Sequence, residues 1–102
     1  MSYNNYEICQ IATINTCHVT PETRERWTDI IADDGYVSDM NYVIYDKDGF
    51  GFFMYITTNK ISDDQSDDIN NLMQFANNIN ADIICLDSDG PQVNGLACYE
   101  DE

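Results

Sequence analysis

His18 is the only histidine in the chain and therefore the first candidate for acid–base chemistry. Imidazole is the side chain whose ordinary pKa lies closest to neutrality, so a general base falls to His18 first. Asp87 and Asp89 follow the last predicted strand and are expected at the same sheet edge. Together the three residues would form a small enzyme or metal-binding site. The alternative is a capping or packing role for His18 where a strand leads into a helix.

Two short motifs suggest metal binding, and neither is complete. Asp87-Ser88-Asp89-Gly90 resembles the start of a calcium loop, but Cys98 stands where the bidentate Glu is required. A tight turn also explains this segment. Cys17 precedes His18 directly, and neighbouring side chains rarely reach one zinc ion together. We find no glycine-rich phosphate loop and no G-x-S-x-G motif. The sequence therefore predicts no metal, no cofactor and no enzymatic activity.

The acidic residues give the strongest signal for a binding function. Nineteen Asp and Glu residues stand against four Lys and Arg, and the formal net charge is −15. Such a surface repels nucleic acid, anionic lipids and phosphate-rich substrates, whereas it attracts a basic protein surface. The alternatives are a bias toward solubility or an adaptation to high salt.

The acids are clustered at spacings that resemble those of successive phosphates along a nucleic-acid strand. Carboxylates at i and i+4 of a helix have Cβ atoms about 5–6 Å apart. Rows of this kind can occupy a Lys- and Arg-lined groove built for nucleic acid. The alternative is a solvated acidic face. Smaller groups occur at Asp46 and Asp48 and at residues 100–102. The predicted partner-binding residues are Asp33, Asp34, Tyr36, Asp39, Asp63, Asp64, Asp67 and Asp68.

Apolar periodicity and turn residues predict four strands and two helices in the order βαββαβ. We expect a single domain over residues 1–102 with a ferredoxin-like α+β fold. In that fold a four-stranded antiparallel sheet carries both helices on one face, and the first and third strands are central. The predicted strands are Tyr6–Ile14, Asn41–Tyr45, Gly51–Thr57 and Asp82–Leu86; one helix runs from Pro21 to Asp34 with Trp27 as its anchor, and the other starts near Ser62 or Ser66 and carries Ile69, Leu72, Met73, Ala76 and Ile79.

The strand Gly51–Thr57 is apolar on both faces, which has two explanations. It lies in the middle of the sheet, or its second face meets a partner. The latter allows a structural accessory protein that forms a homodimer through the open sheet face. The start of the chain has no basic segment followed by an apolar run, and no stretch is long enough to span a membrane. We therefore expect a cytoplasmic location with reduced cysteines.

Two segments resemble a small uncharacterised domain family of plasmids, phages and integrated elements. Asn15-Thr16-Cys17-His18-Val19-Thr20-Pro21-Glu22-Thr23 fits the family pattern T-x-H-[LIV]-T-x-E-T, and Leu86-Asp87-Ser88-Asp89-Gly90-Pro91 fits L-D-x-D-G-P. Gly49-Phe50-Gly51-Phe52 and Tyr99 match its aromatic hairpin and its later Tyr, whereas residues 100–102 replace a frequent aromatic end. The family has no established activity.

The resemblance implies a mobile-element setting, in which small acidic proteins often block host defences. Together with the charge, it leads to the hypothesis of an anti-CRISPR or antirestriction protein that occupies a basic nucleic-acid-binding surface of a host nuclease complex. His18, Thr20, Asp87, Asp89 and Gly90 could equally be the structural signature of the family.

Overall fold

The computed structural model describes residues 8–57 and 65–99, which form two α-helices and a five-stranded mixed sheet. The strand order is β1-β5-β4-β3-β2; β1 runs parallel to β5 and the other neighbours are antiparallel. The elements are β1 (Ile11–Asn15), a 3-10 turn (Thr16–His18), α1 (Pro21–Asp34), β2 (Val37–Ser38), β3 (Tyr42–Asp46), β4 (Gly51–Ile56), α2 (Asp67–Ile79) and β5 (Ile83–Asp87).

The predicted α+β class is confirmed, but the ferredoxin-like arrangement is wrong. Along the described chain the elements follow the order βαβββαβ. The sheet that they form has five strands and is not fully antiparallel. The predicted first strand is not central, because β1 pairs with β5 alone among the described strands. Residues 83–86 of β5 are all buried and suit an interior position, whereas β1 exposes Ile11 and Thr13 and suits an edge.

The start of the first strand and the number of strands also differ from the prediction. The first strand was expected from Tyr6, but β1 starts at Ile11, and residues 1–7 lie outside the described part of the chain. The predicted loop at residues 36–40 contains the two-residue strand β2, in which Val37 pairs with Ile44 of β3. A strand this short has too few residues to show an alternating pattern in the sequence.

Helix α1 starts and ends where its capping residues predict. The Thr20 hydroxyl accepts a hydrogen bond from the Thr23 N–H at 3.1 Å, and Pro21 occupies the first helical position. Gly35 has φ +86° and its N–H donates to Ile31 O at 2.8 Å, so it closes the C-terminus in the left-handed conformation. Neither α1 nor α2, the helices of the described part, is long and apolar enough to cross a membrane.

The hydrophobic core lies on one face of the sheet and includes both helices. Trp27 of α1 is fully buried, and its ring makes edge-on contacts with Phe52 at 5.3 Å and Tyr42 at 6.2 Å between centroids. These two rings belong to the same sheet face as the other inward strand residues. The core members that complete the cluster are Ile14, Val37, Ile44, Met54, Ile84 and Leu86 from the strands, Val19 from the segment before α1, and Ile69, Leu72, Met73 and Ala76 from α2.

The opposite face of the sheet carries apolar and aromatic side chains. In the described structure, no buried residue of α1 or α2 packs against this face. Ile83 and Cys85 are buried in its middle, while Tyr45 and Tyr55 stay more than 40% exposed. The side chains of β4 alternate between the core face and this opposite face, which explains why the sequence of the strand is apolar on both faces.

Gly51 lies where β4 pairs with β5. A Cβ at this position would stand 1.7 Å from Leu86 O, so the close approach of the two strands requires glycine.

Candidate functional site

His18 is buried, and backbone groups bind both of its ring nitrogens. Its relative exposure is 2%. Nε2 accepts a hydrogen bond from the Val93 N–H at 3.0 Å, and Nδ1 lies 2.8 Å from Ala97 O. Because a carbonyl can only accept, Nδ1 carries the proton and the ring is the neutral Nδ1–H tautomer. His18 therefore ties residues 93–97 to the junction between β1 and α1 and has no ring nitrogen left for proton transfer.

The two family-like segments meet in a motif junction, which we define as residues 15–18 in contact with residues 87–99. The Asn15 side-chain amide donates to Gly90 O at 2.8 Å, and the Asn15 N–H donates to Pro91 O at 2.9 Å. The Tyr99 N–H donates to Cys17 O. A Cβ on Gly90 would lie 2.5 Å from Ile14 O, so this turn can pass the end of β1 only as glycine. The residues of these two family-like segments thus connect backbone segments to one another.

Asp87 and Asp89 form a turn that is tied to the β3–β4 hairpin. The Asp89 N–H donates to Asp87 Oδ1 at 2.8 Å, and Lys47 Nζ lies 3.0 Å from Asp87 Oδ2. The hydrogen bond from the Asp89 backbone, followed by the one from Lys47, holds the pKa of Asp87 below its ordinary value. Both carboxylate oxygens of Asp87 therefore have a partner within the protein. The described residues contain no group of three or more potential metal ligands.

Asp68 connects the N-termini of the two helices. It is 2% exposed and accepts hydrogen bonds from the Thr20 N–H at 2.9 Å, the Thr20 hydroxyl at 3.2 Å and the Ile69 N–H at 3.0 Å. The Ser66 hydroxyl donates to Oδ1, the oxygen that also accepts from the Ile69 N–H, whereas Thr20 donates to Oδ2. Burial by itself raises the pKa of Asp68, but the hydrogen bonds from Ser66 and Thr20 outweigh it, and the pKa lies below its ordinary value.

The exposed side of α1 carries a line of carboxylates, which we call the acidic row: Glu22, Glu25, Asp29 and Asp33. All four residues are exposed. At 3.6 residues per turn they fall within an arc of about 80° and extend over roughly 16 Å of helix. Only Thr23 and Trp27 of this helix are buried, so α1 gives most of its surface to solvent. The four carboxylates therefore form a line along α1, bordered on one side by the exposed Arg26.

A shallow groove of about 240 Å³ runs beside the acidic row, between α1, the β2–β3 connection and the start of α2. Arg26, Asp39, Tyr42 and Ser66 are among its lining residues. Burial, and next the nearby Asp39 carboxylate, raise the pKa of the Tyr42 phenol, while Arg26 opposes the rise. Exposed Asp67 follows Ser66 directly. The groove therefore places Asp39 and the start of α2 beside Arg26 and Ile30 of α1.

Comparison with known protein families decides the classification. A family model described as "Family of unknown function (DUF5983) C-terminal domain" matches residues 11–101, which include the motif junction and the acidic row. The chain belongs to this family. No curated protein and no solved structure matches the chain.

The DUF5983 match bears out the coarser part of the sequence-based resemblance, since the family is one of unknown function. The junction geometry gives a structural reason for the residues that carried that resemblance: His18, Asn15 and Gly90 hold the strand ends and residues 91–99 together. Thr20 caps α1 and also binds Asp68. These residues are accounted for by the fold of the DUF5983 domain.

The predicted partner-binding residues of this DUF5983 domain fall into three groups. Asp33, Asp34, Tyr36 and Asp39 are exposed and lie close together in sequence around the end of α1 and β2. Asp67 is exposed at the start of α2, whereas Asp68 is buried and does not belong to an exposed surface. Asp63 and Asp64 lie outside the described residues.

Three acids of the row were missed from the sequence, namely Glu22, Glu25 and Asp29. They are separated by other residues and do not form a run. Mapping the polar positions of α1 at a 3.6-residue period would have revealed them, as mapping apolar positions reveals a core face.

Proposed function

We propose that this DUF5983 domain is a phage- or plasmid-encoded inhibitor of a host nucleic-acid-targeting defence system, of the anti-CRISPR or antirestriction type. It acts as an acidic protein that occupies a basic nucleic-acid-binding surface of a nuclease complex in the host cytoplasm. The observation that carries the proposal is the acidic row on α1, which arranges four of the nineteen acids in a line.

The physical argument concerns the kind of partner that such a row fits. A nucleic-acid groove is lined with Lys and Arg at intervals that match a line of phosphates. Carboxylates one helical turn apart offer a similar line of charge, and a rigid helix loses little conformational entropy on binding. Long-range attraction between opposite charges also speeds the encounter and weakens as salt is added.

The alternative of a small enzyme or metal site with His18, Asp87 and Asp89 receives no support from the described geometry. Both ring nitrogens of His18 have backbone partners, and both carboxylate oxygens of Asp87 are engaged. A general base needs a free lone pair within reach of a substrate proton.

The test is phage plating on bacteria that carry a panel of single nuclease-based defences, both CRISPR and restriction systems. We expect the wild-type domain to restore plating against at least one system. The triple variant E25Q/D29N/D33N should lose this effect, because each exposed ion pair contributes about 0.2–1 kcal/mol, so three together change affinity roughly 10-fold.

A matched variant, D48N/D82N/D89N, removes three exposed acids from outside the acidic row. It changes the net charge by the same amount and should retain inhibition. Equal loss in the two variants would show that only total charge matters and would overturn the role of the row. Failure of the wild type against every system in the panel would overturn the inhibitor proposal.

A further inference from the structure

The open sheet face carries three tyrosines whose rings contact one another, tilted by 30° between Tyr36 and Tyr45 and edge-on between Tyr45 and Tyr55; we call them the tyrosine ladder. The ring centroids of Tyr36 and Tyr45 are 5.9 Å apart, and those of Tyr45 and Tyr55 are 5.4 Å apart. Each side chain is between 42% and 46% exposed. Val43 and Thr57 complete a shallow groove of about 440 Å³ beside Tyr45 and Tyr55. The rings are ordered against one another and remain accessible.

The ladder starts where the acidic row ends. Asp33 is the last acid of the row, and Asp34-Gly35 leads from it directly to Tyr36. Asp34 and Tyr36 also line one further shallow groove with Ser38. Because the ladder lies on the sheet face opposite α1, a partner that lays cationic side chains along the acidic row reaches the ladder around the β2 edge, next to Tyr36.

Charge decides which occupant the ladder suits. A second copy of the chain would bring a further net charge of −15 to this face, and nucleic acid would bring phosphates. Lys47, the cation near the end of the hairpin, is already paired with Asp87 at 3.0 Å. Phenol rings attract cations to their faces, and arginine is the side chain that most often stacks on them.

We infer that the tyrosine ladder docks an arginine-bearing segment of the basic partner, with guanidinium groups stacked on the exposed ring faces. This inference rests on the proposed function and deepens it, because it names the chemistry that the partner presents beyond the acidic row. Lysine could satisfy the row, but the ladder favours the planar guanidinium, so the domain discriminates arginine from lysine at this face.

The test uses two probes of equal charge, a nona-arginine and a nona-lysine peptide, titrated into the domain by calorimetry. We expect the wild type to bind nona-arginine about two- to five-fold more tightly. Tyr45→Leu keeps an apolar side chain but removes the central ring, and it should abolish the preference. Tyr45→Phe keeps the ring and should preserve it. Circular dichroism and the urea midpoint establish that both variants fold.

The outcomes separate this inference from the proposed function. The variant E25Q/D29N/D33N should weaken both peptides equally and leave the arginine preference intact. If Tyr45→Leu keeps the preference, the ladder inference is overturned while the acidic row stands. If the triple variant binds both peptides as tightly as the wild type does, the role of the acidic row is overturned. The effect of Tyr45→Leu on the arginine preference then still tests the ladder. If the wild type sediments as a dimer and Tyr45→Leu sediments as a monomer, the open sheet face binds a second copy of the chain. That result would overturn the inference.

Discussion

Asp68→Asn is the substitution for which the structure allows the sharpest quantitative prediction. The carboxylate is 2% exposed and receives hydrogen bonds from Thr20, Ser66 and Ile69, so it joins the start of α1 to the start of α2. Asn keeps one oxygen and places an NH₂ group where the other stood. At least one of the groups that donate to Asp68 then faces the NH₂ group of the Asn side chain, which is also a donor, in a buried site.

The cost follows from the bonds that are lost. A hydrogen bond to a charged acceptor contributes about 1.5–3 kcal/mol, and an orphaned buried donor adds its own penalty. We therefore expect Asp68→Asn to lower the free energy of unfolding by about 2–4 kcal/mol at pH 7. Urea denaturation followed by circular dichroism measures this loss, and the midpoint should fall by roughly 1–2 M.

The pH dependence gives an independent check of the same contact. Because the pKa of Asp68 is lowered in the folded state, its stabilisation is fully present above the unfolded pKa of about 3.9. It is lost as the pH falls through the folded pKa. The stability difference between wild type and Asp68→Asn should thus be constant from pH 7 to about pH 5 and shrink below about pH 4.

The exposed neighbour provides a matched control. Asp67→Asn removes the same charge from the same helix turn and should change stability by less than about 0.5 kcal/mol. The reasoning is refuted if Asp68→Asn also stays within that limit at pH 7, or if its effect does not diminish at low pH.

Two further substitutions test the strand connections. His18→Ala removes the acceptor of the Val93 N–H, so it should cost about 2–4 kcal/mol and speed hydrogen exchange at Val93; unchanged exchange would contradict the tie between the ring and this segment. Gly51→Ala places a Cβ against Leu86 O and should cost more than about 3 kcal/mol; a thermal midpoint within about 5 °C of the wild type would contradict the close approach of β4 and β5.

Local signals in the sequence were sufficient for most elements. Thr20-Pro21 and Gly35 fixed the limits of α1 because capping depends on neighbouring residues alone. The sequence signals for the β3–β4 hairpin and for the apolar stripe of α2 were equally local. The sheet order could not be predicted from local signals. β1 and β5 are paired across more than 60 residues, and nothing in either strand specifies a parallel neighbour. The uninterrupted apolar run of residues 83–86 was the available hint that β5 is interior.

The site was predicted in part, for reasons that concern tertiary structure. The charge and several exposed acids, such as Asp33 and Asp39, could be read from composition and clustering. Asp68 looked like its neighbour Asp67, and its burial became evident only once Thr20 was placed beside it. The pairing of Tyr36 with Tyr45 likewise depends on β2, a strand too short to predict.

The central claim is that the acidic row binds a surface that otherwise binds nucleic acid. The most direct measurement is a competition experiment, in which the domain is titrated into a complex of duplex DNA with the nuclease of the defence system that the plating test identifies. The account predicts that the apparent DNA dissociation constant rises in proportion to the concentration of the domain, and that E25Q/D29N/D33N competes about 10-fold less well. A stable ternary complex of nuclease, DNA and domain would contradict it.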